Sequence, residues 1–161
     1  MPPGDRTSIV IDPGRAFGTG AHPTTRLCVE LLSRQPRGSL LDVGCGSGVL
    51  AIAGARLGFG PVRAVDNDPV AVEVTRENAA ANGVELEVGV VDGTGETLPH
   101  VDLAVANVLL EPVTAILAHL DARRAITAGY LTGERPSAPG WEHVDRLERD
   151  GWAADVFARP L

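Results

Sequence analysis

The chain is 161 residues long, 44% hydrophobic, and has a formal net charge of -7. That length fits one domain with one core, and the acidic balance excludes a broad grip on nucleic acid or on an anionic membrane surface. All 14 Lys-or-Arg positions are Arg, which excludes a P-loop lysine and a Schiff-base lysine.

In chain order, Met1 to Arg6 is polar, and residues 1–10 read as a loose lead-in. Ser8 to Ile11 is a short β-branched run, read as a strand. Asp12 to Thr25 follows, with three glycines after Asp12-Pro13 and then His22-Pro23-Thr24-Thr25. That composition predicts a loop running into a helix whose first turn holds Pro23. Leu27, Cys28, Leu31 and Leu32 give this helix one apolar face, and it stops near Pro36.

Ser39 to Val43 reads as a strand, followed by Gly44-Cys45-Gly46-Ser47-Gly48 and a helix to Leu57. Strand, glycine turn and helix N-terminus form the first half of a βαβ unit, a place where backbone N–H groups and a helix dipole meet a ligand. The next strand, Val62 to Val65, ends at Asp66. Asp68-Pro69 caps a helix reaching Asn82-Gly83. Leu86 to Val91 is a third strand ending at Asp92, and Val101 to Ala106 a fourth ending at Asn107. Glu111-Pro112 opens a helix through Arg124. A strand over Gly129 to Thr132 follows, and residues 135–140 read as a linker. A helix from Trp141 to Arg149 and a strand from Trp152 to Phe157 finish the chain.

Alternating strands and helices predict an α/β, doubly wound, mainly parallel sheet in a single domain spanning 1–161, with a short C-terminal end. In such sheets ligands bind beyond the carboxyl ends of the strands, where Asp42, Asp66, Asp92 and Asn107 collect. Asp66, at the end of the second strand, can accept hydrogen bonds from both hydroxyls of a ribose. Asp42 beside the turn would repel a pyrophosphate and hold a cationic ammonium, directly or through water. The spacing is G-x-G-x-G, not the G-x-G-x-x-G of a dinucleotide turn, and it favours S-adenosylmethionine over a nicotinamide dinucleotide.

Asp42-Val43-Gly44-Cys45-Gly46-Ser47-Gly48 resembles the motif of class I S-adenosylmethionine-dependent methyltransferases, a Rossmann-like fold. The loop from Asp12 to Thr25 is similar to the signature of PrmA-type ribosomal protein methyltransferases, which methylate amino groups of a large-subunit ribosomal protein. The resemblance continues through Asp66-Asn67-Asp68-Pro69, Arg76-Glu77-Asn78-Ala79, Asn82-Gly83 and Ala106-Asn107-Val108-Leu109. It implies cofactor contacts from Thr25, Gly44, Asp66 and Asn107, and an entrance lined by Phe17, Thr19 and Gly20. Asn67, Gly46, Gly48 and Asp92 complete the expected cofactor set. Asn107, the candidate catalytic residue, would orient the acceptor amine or hold the methionine end of the cofactor.

The family also carries an N-terminal domain that grips the ribosomal protein, whereas few residues precede the loop here. The expectation is a free-standing catalytic domain, or one completed by a partner chain or a homodimer. The acceptor is then a protein amino group, with a small molecule as the alternative. A non-catalytic cofactor-binding subunit is a second alternative. Asn107-Val108-Leu109-Leu110 lacks the Pro-Pro-aromatic sequence of many amine and DNA methyltransferases, so DNA is not expected.

No metal is expected, because His100, His119 and His143 have no ligand spacing. His22 is either a site residue or a local hydrogen-bonding group, and Asp92 either faces an adenine or closes a turn. Trp141 and Trp152 read as core packing. Cys28 and Cys45 are isolated, so both are expected to be reduced in a cytoplasmic protein. No segment is apolar for long enough to span a membrane.

Overall fold

The computed structural model of the chain describes residues 22–160. The expectations for Met1 to Ile11, and for Phe17, Thr19 and Gly20, lie outside the described residues. Eleven elements follow one another: α1 (Pro23–Ser33), β1 (Leu40–Val43), α2 (Val49–Leu57), β2 (Val62–Asp66), α3 (Pro69–Ala81), β3 (Glu87–Val90), β4 (Val101–Asn107), α4 (Leu110–His119), β5 (Ala122–Leu131), β6 (Glu142–Arg149) and β7 (Trp152–Ala158). The strands form one sheet in the order β3-β2-β1-β4-β5-β7-β6. The first five are mutually parallel, and β7 runs antiparallel between β5 and β6.

Local chemistry explains the helices. His22 caps α1, its side chain accepting from the Thr24 backbone N–H, and Pro23 occupies the first turn. Asp68 caps α3 in the same way through Val70, again ahead of a proline. α1 buries Leu27, Cys28, Leu31 and Leu32 against α2 and the sheet. Burying each such leucine is worth about 1.5–3 kcal/mol.

Alternation along the strands splits the core. Leu40, Leu103, Val105 and Ile126 face the side covered by α1 and α2. Leu41, Val43, Ala104 and Ala106 face α4 with Val113, Ile116 and Leu117. This two-sided burial is what a mainly parallel sheet requires.

Two expected elements are corrected. Trp141 to Arg149 is not a helix: Glu142–Arg149 is the edge strand β6, joined to β7 by a hairpin. Its charged residues favour a helix locally, but on an edge strand they meet solvent while the backbone pairs with β7. Asp150 and Gly151, both at positive φ (52° and 81°), make the turn, and Asp-Gly is a strong hairpin signal. The second correction concerns α4, which ends at His119, so Arg123 and Arg124 belong to β5. Only Leu120 and Asp121 separate the two elements, with no Gly or Pro to mark the change. With β6 and β7 the sheet has seven strands.

Candidate functional site

The chain moves outward from β1 to β2 and β3, then returns to the other side of β1 with β4. The carboxyl ends of β1 and β4 thus flank the switch point, where a crevice opens. At the end of β1 the turn is stitched to β2, because the N–H groups of Gly44 and Cys45 both donate to the Val65 carbonyl, at 2.8 and 3.0 Å. Asp66 joins the turn to the start of α3. Its Oδ2 accepts from the Gly46 N–H at 3.0 Å, and its Oδ1 from the Asp68 N–H at 2.9 Å. Each oxygen keeps a further lone pair for an incoming hydroxyl.

α2 starts at Gly48 without a side-chain cap of its own. The cap comes from below, from Asp42, whose Oδ2 accepts the Ala51 N–H at 3.2 Å. Asp42 is only 2% exposed, and burial pushes its carboxyl up to about 7. The Ala51 hydrogen bond opposes that rise and the nearby Asp66 charge adds to it. A buried carboxylate with no cation beside it is costly, and a cationic ligand would return it to the ionised state.

The cleft has a volume of about 1040 Å³, enough for a nucleoside-sized ligand with room for a second reactant. The lining includes the glycine turn with Asp42, Asp66 and Asn67, and the start of α1 with Asn107, Val108 and Trp152. A hydrogen-bonded chain runs through the second group. The Asn107 Nδ2 donates to the Thr24 hydroxyl at 3.1 Å, and Thr24 lies 2.7 Å from His22 Nδ1. Since the Thr24 backbone N–H also donates to Nδ1, that nitrogen is the acceptor and the Thr24 hydroxyl the donor. The Asn107 carboxamide oxygen is therefore left to accept. In the same cleft the Thr25 hydroxyl is buried without a hydrogen-bond partner among the described residues. Buried polar atoms are nearly always satisfied, so this orphan marks a place for a polar ligand group.

Thr25, Asp42, Gly44, Gly46, Asp66, Asn67, Asp92 and Asn107 all line this cleft. Gly48 does not; it stands behind the turn, packed on Thr75. Asp92 lines the cleft and also closes a turn. Its Oδ1 accepts from the Thr94 N–H and hydroxyl, at 3.0 and 2.6 Å, which holds its carboxyl below the usual range. His22 serves both roles open to it, as helix cap and as part of the cleft wall.

Trp152 packs against the core, as expected, and also faces the cleft. It lines the opening, stacked edge-on against His22 with ring centroids 5.0 Å apart. Sequence reasoning also missed Gly93 and Gly129. A Cβ on Gly93 would meet Val43 Cγ1 at 2.4 Å, so a side chain there would collide with the floor. Neither glycine sits in a recognisable repeat, and only the packing marks them out. Cys45 lies in the turn but is inert, because burial raises its thiol far above neutrality.

Sheet order, glycine turn, carboxylate at the end of β2 and asparagine at the end of β4 define a Rossmann-like, class I methyltransferase fold. Solved structures agree. A ribosomal protein L11 methylase from Lactobacillus delbrueckii subsp. bulgaricus superposes with a TM-score of 0.78 at 28% identity, covering 92% of this chain and 83% of that one. A putative RNA methyltransferase from Pyrococcus horikoshii shares the fold, with a TM-score of 0.69 at 19% identity over 86% of this chain and 84% of that one.

The family model described as ribosomal protein L11 methyltransferase (PrmA) matches residues 2–159, and the chain belongs to that family. Ribosomal protein L11 methyltransferases from Thiobacillus denitrificans and Symbiobacterium thermophilum are 47% and 38% identical, each over 94% of this chain. This chain covers 51% and 54% of those two proteins, so it spans about half the length of the curated relatives it matches.

Proposed function

We propose that this chain is a single catalytic domain that transfers a methyl group from S-adenosylmethionine to an amino group of a protein. The observation that carries the reading is the gathering of two ligand-seeking groups, the buried Asp42 carboxyl and the orphaned Thr25 hydroxyl, in one cleft with the Asp66 carboxylate. These residues fit the cofactor's chemistry. Asp66 would accept from the ribose hydroxyls, while Asp42 and Thr25 would take the charged amino-acid end. Gly44 and Gly46 let the turn backbone approach closely. Asp92 and Gly93 line the end of the cleft beyond β3, where a flat base fits.

When bound, S-adenosylmethionine supplies a methyl group already activated by a sulfonium. The chain's work is to hold the acceptor in line and to keep water away. An ammonium has no lone pair, so the amine must enter neutral. The apolar rim of Val108, Leu109, Pro112 and Trp152 withholds water and disfavours the charged form. The Asn107 carboxamide oxygen, with its nitrogen held by Thr24, accepts an N–H either from the methionine end or from the acceptor amine.

The family names support a ribosomal protein as acceptor, in the cytoplasm where such proteins are made. Both described cysteines are free. Transfer of labelled methyl from S-adenosylmethionine into an undermethylated cell extract, fractionated into protein, RNA and small molecules, tests the reading. Label in one ribosomal protein supports it. Label among small molecules retains the cofactor site and discards the protein acceptor. Binding of cofactor without transfer into any fraction refutes the catalytic reading.

A further inference from the structure

The rim beside Asn107 is shaped by a contact between two strands that the cofactor reading does not use. β5 is irregular: its register against β7 shifts between Ala128 and Tyr130, leaving Gly129 as a bulge. Gly129 has φ +109°, open to glycine and strained for any other residue. A Cβ there would sit 1.9 Å from the Val108 carbonyl oxygen and 2.6 Å from its carbonyl carbon. The obstruction is backbone, so no rotamer change could relieve it.

Val108 is held from three directions. Its N–H donates to the Ala128 carbonyl at 3.0 Å. Its backbone lies on the bare face of Gly129. Its side chain reaches the cofactor turn, where a Cβ on Gly44 would meet Val108 Cγ1 at 2.7 Å. Val108 is thus the spacer between the β5 bulge and the glycine turn. It lies between Asn107 and Leu109, whose side chain is 71% exposed at the rim of the cleft.

The bulge is itself braced. The Tyr130 hydroxyl lies 2.7 Å from the Thr127 hydroxyl and donates to Asp155 Oδ2 at 2.5 Å, tying the two sides of Gly129 together. Tyr130 and Asp155 are each 1% exposed. Arg146 and His143 hold the same carboxylate from β6, at 3.0 and 2.7 Å. A buried polar network of this kind fixes one arrangement of the backbone around it.

We infer that Gly129 is a positioning residue for methyl transfer: the braced β5 bulge sets the depth of the Asn107–Val108–Leu109 segment against the cofactor turn, and so places the acceptor. The inference rests on the proposed methyl transfer and adds the element that aligns its acceptor side. A side chain at Gly129 would displace the Val108 backbone and with it the acceptor path. Asp66 and Asp42, held by the N–H groups of Gly46, Asp68 and Ala51, would be left in place.

The test compares Gly129→Ala and Tyr130→Phe with the unaltered chain. Three quantities are read: kcat and KM for the acceptor, the Kd for S-adenosylhomocysteine, and hydrogen exchange at single amides. Misplacement by about 1 Å costs on the order of 100-fold in rate. Gly129→Ala is therefore expected to lower kcat about 100-fold, with the Kd for S-adenosylhomocysteine within about threefold of the unaltered value, a split that general loss of structure would not give. Its Val108 amide should exchange faster, while the Gly44 and Cys45 amides stay protected. Tyr130→Phe, which keeps the core volume, should show the same split more weakly.

Normal kcat and normal Val108 protection in Gly129→Ala would overturn the inference, as would an equal loss of Kd and kcat. If Gly129→Ala does not fold, Tyr130→Phe decides: an unchanged kcat refutes the inference. If the unaltered chain transfers no methyl, the functional proposal fails, and the exchange of the Val108 amide still judges the bulge.

Discussion

Replacing Asp66 with Ala tests the cofactor site where its geometry is most specific. Two vicinal hydroxyls donating to one carboxylate make two charge-assisted hydrogen bonds, each worth about 1.5–3 kcal/mol. Their joint loss is about 3–6 kcal/mol, or at least a 100-fold rise in Kd. The structure adds a second cost in the same direction. Asp66 also accepts the N–H groups of Gly46 and Asp68, so the alanine variant frees the turn that the ligand leans on. Asp66→Asn is an intermediate case, because it keeps one acceptor oxygen while its NH2 loses one turn N–H and one ribose hydroxyl. Titration calorimetry with S-adenosylhomocysteine should show a loss of about 100-fold or more for Asp66→Ala and a smaller loss for Asp66→Asn. An Asp66→Ala variant that keeps its thermal transition and binds within threefold of the unaltered protein would refute the ribose assignment, and with it the reading of the cleft as an adenosine site.

Asp42→Asn should stabilise the ligand-free protein in alkaline solution. Folding raises this carboxyl from 3.8 to about 7, so the fold loses stability as pH rises from about 4 and the loss is complete above about 7. The gain should be on the order of 1–4 kcal/mol at pH 8 and fade as pH falls toward 4, seen as a Tm difference that closes on acidification. The same substitution should weaken S-adenosylmethionine more than it stabilises the fold, since the cation loses its counter-charge. Thr24→Val removes the hydroxyl that holds the Asn107 amide, and steady-state assay should show kcat/KM lower by about tenfold with the fold intact. Arg146→Ala leaves the buried Asp155 carboxylate without its main partner, and urea unfolding should show a loss of about 3–5 kcal/mol.

The glycine-turn side of the cleft was legible in the sequence because each of its parts has a local signature. Glycines between a strand and a helix, an acid closing the next strand, and Asp68-Pro69 as a cap all declare themselves within a few residues. The C-terminal third was read less well. Glu142-His143-Val144-Asp145-Arg146-Leu147-Glu148-Arg149 carries helix-favouring side chains, and only the pairing of its backbone with β7 makes it a strand. The signal that could have corrected it is Asp150-Gly151, a hairpin turn lying between two runs of eight and seven strand residues. The second role of Trp152, in the cleft lining, was hidden for a related reason. Its neighbour His22 is 130 positions away in sequence, so the pair forms only once β7 has slotted beside β5.

The proposed acceptor side was hidden because its determinants are contacts between segments distant in sequence. Gly129 reads as an ordinary glycine in Ala128-Gly129-Tyr130, and nothing local shows that its missing side chain makes room for the Val108 backbone. Tyr130 and Asp155 look like one more aromatic and one more acid, yet together they brace the bulge that carries that contact. This asymmetry has a physical basis. The proposed cofactor contacts are backbone amides and a few strand-end carboxylates, which short spacings can encode. The acceptor must be placed against a reacting atom to within a fraction of an ångström, which calls for support from packed elements distant in sequence. In this fold that support comes from the antiparallel end of the sheet, through β5, β7 and β6 in turn.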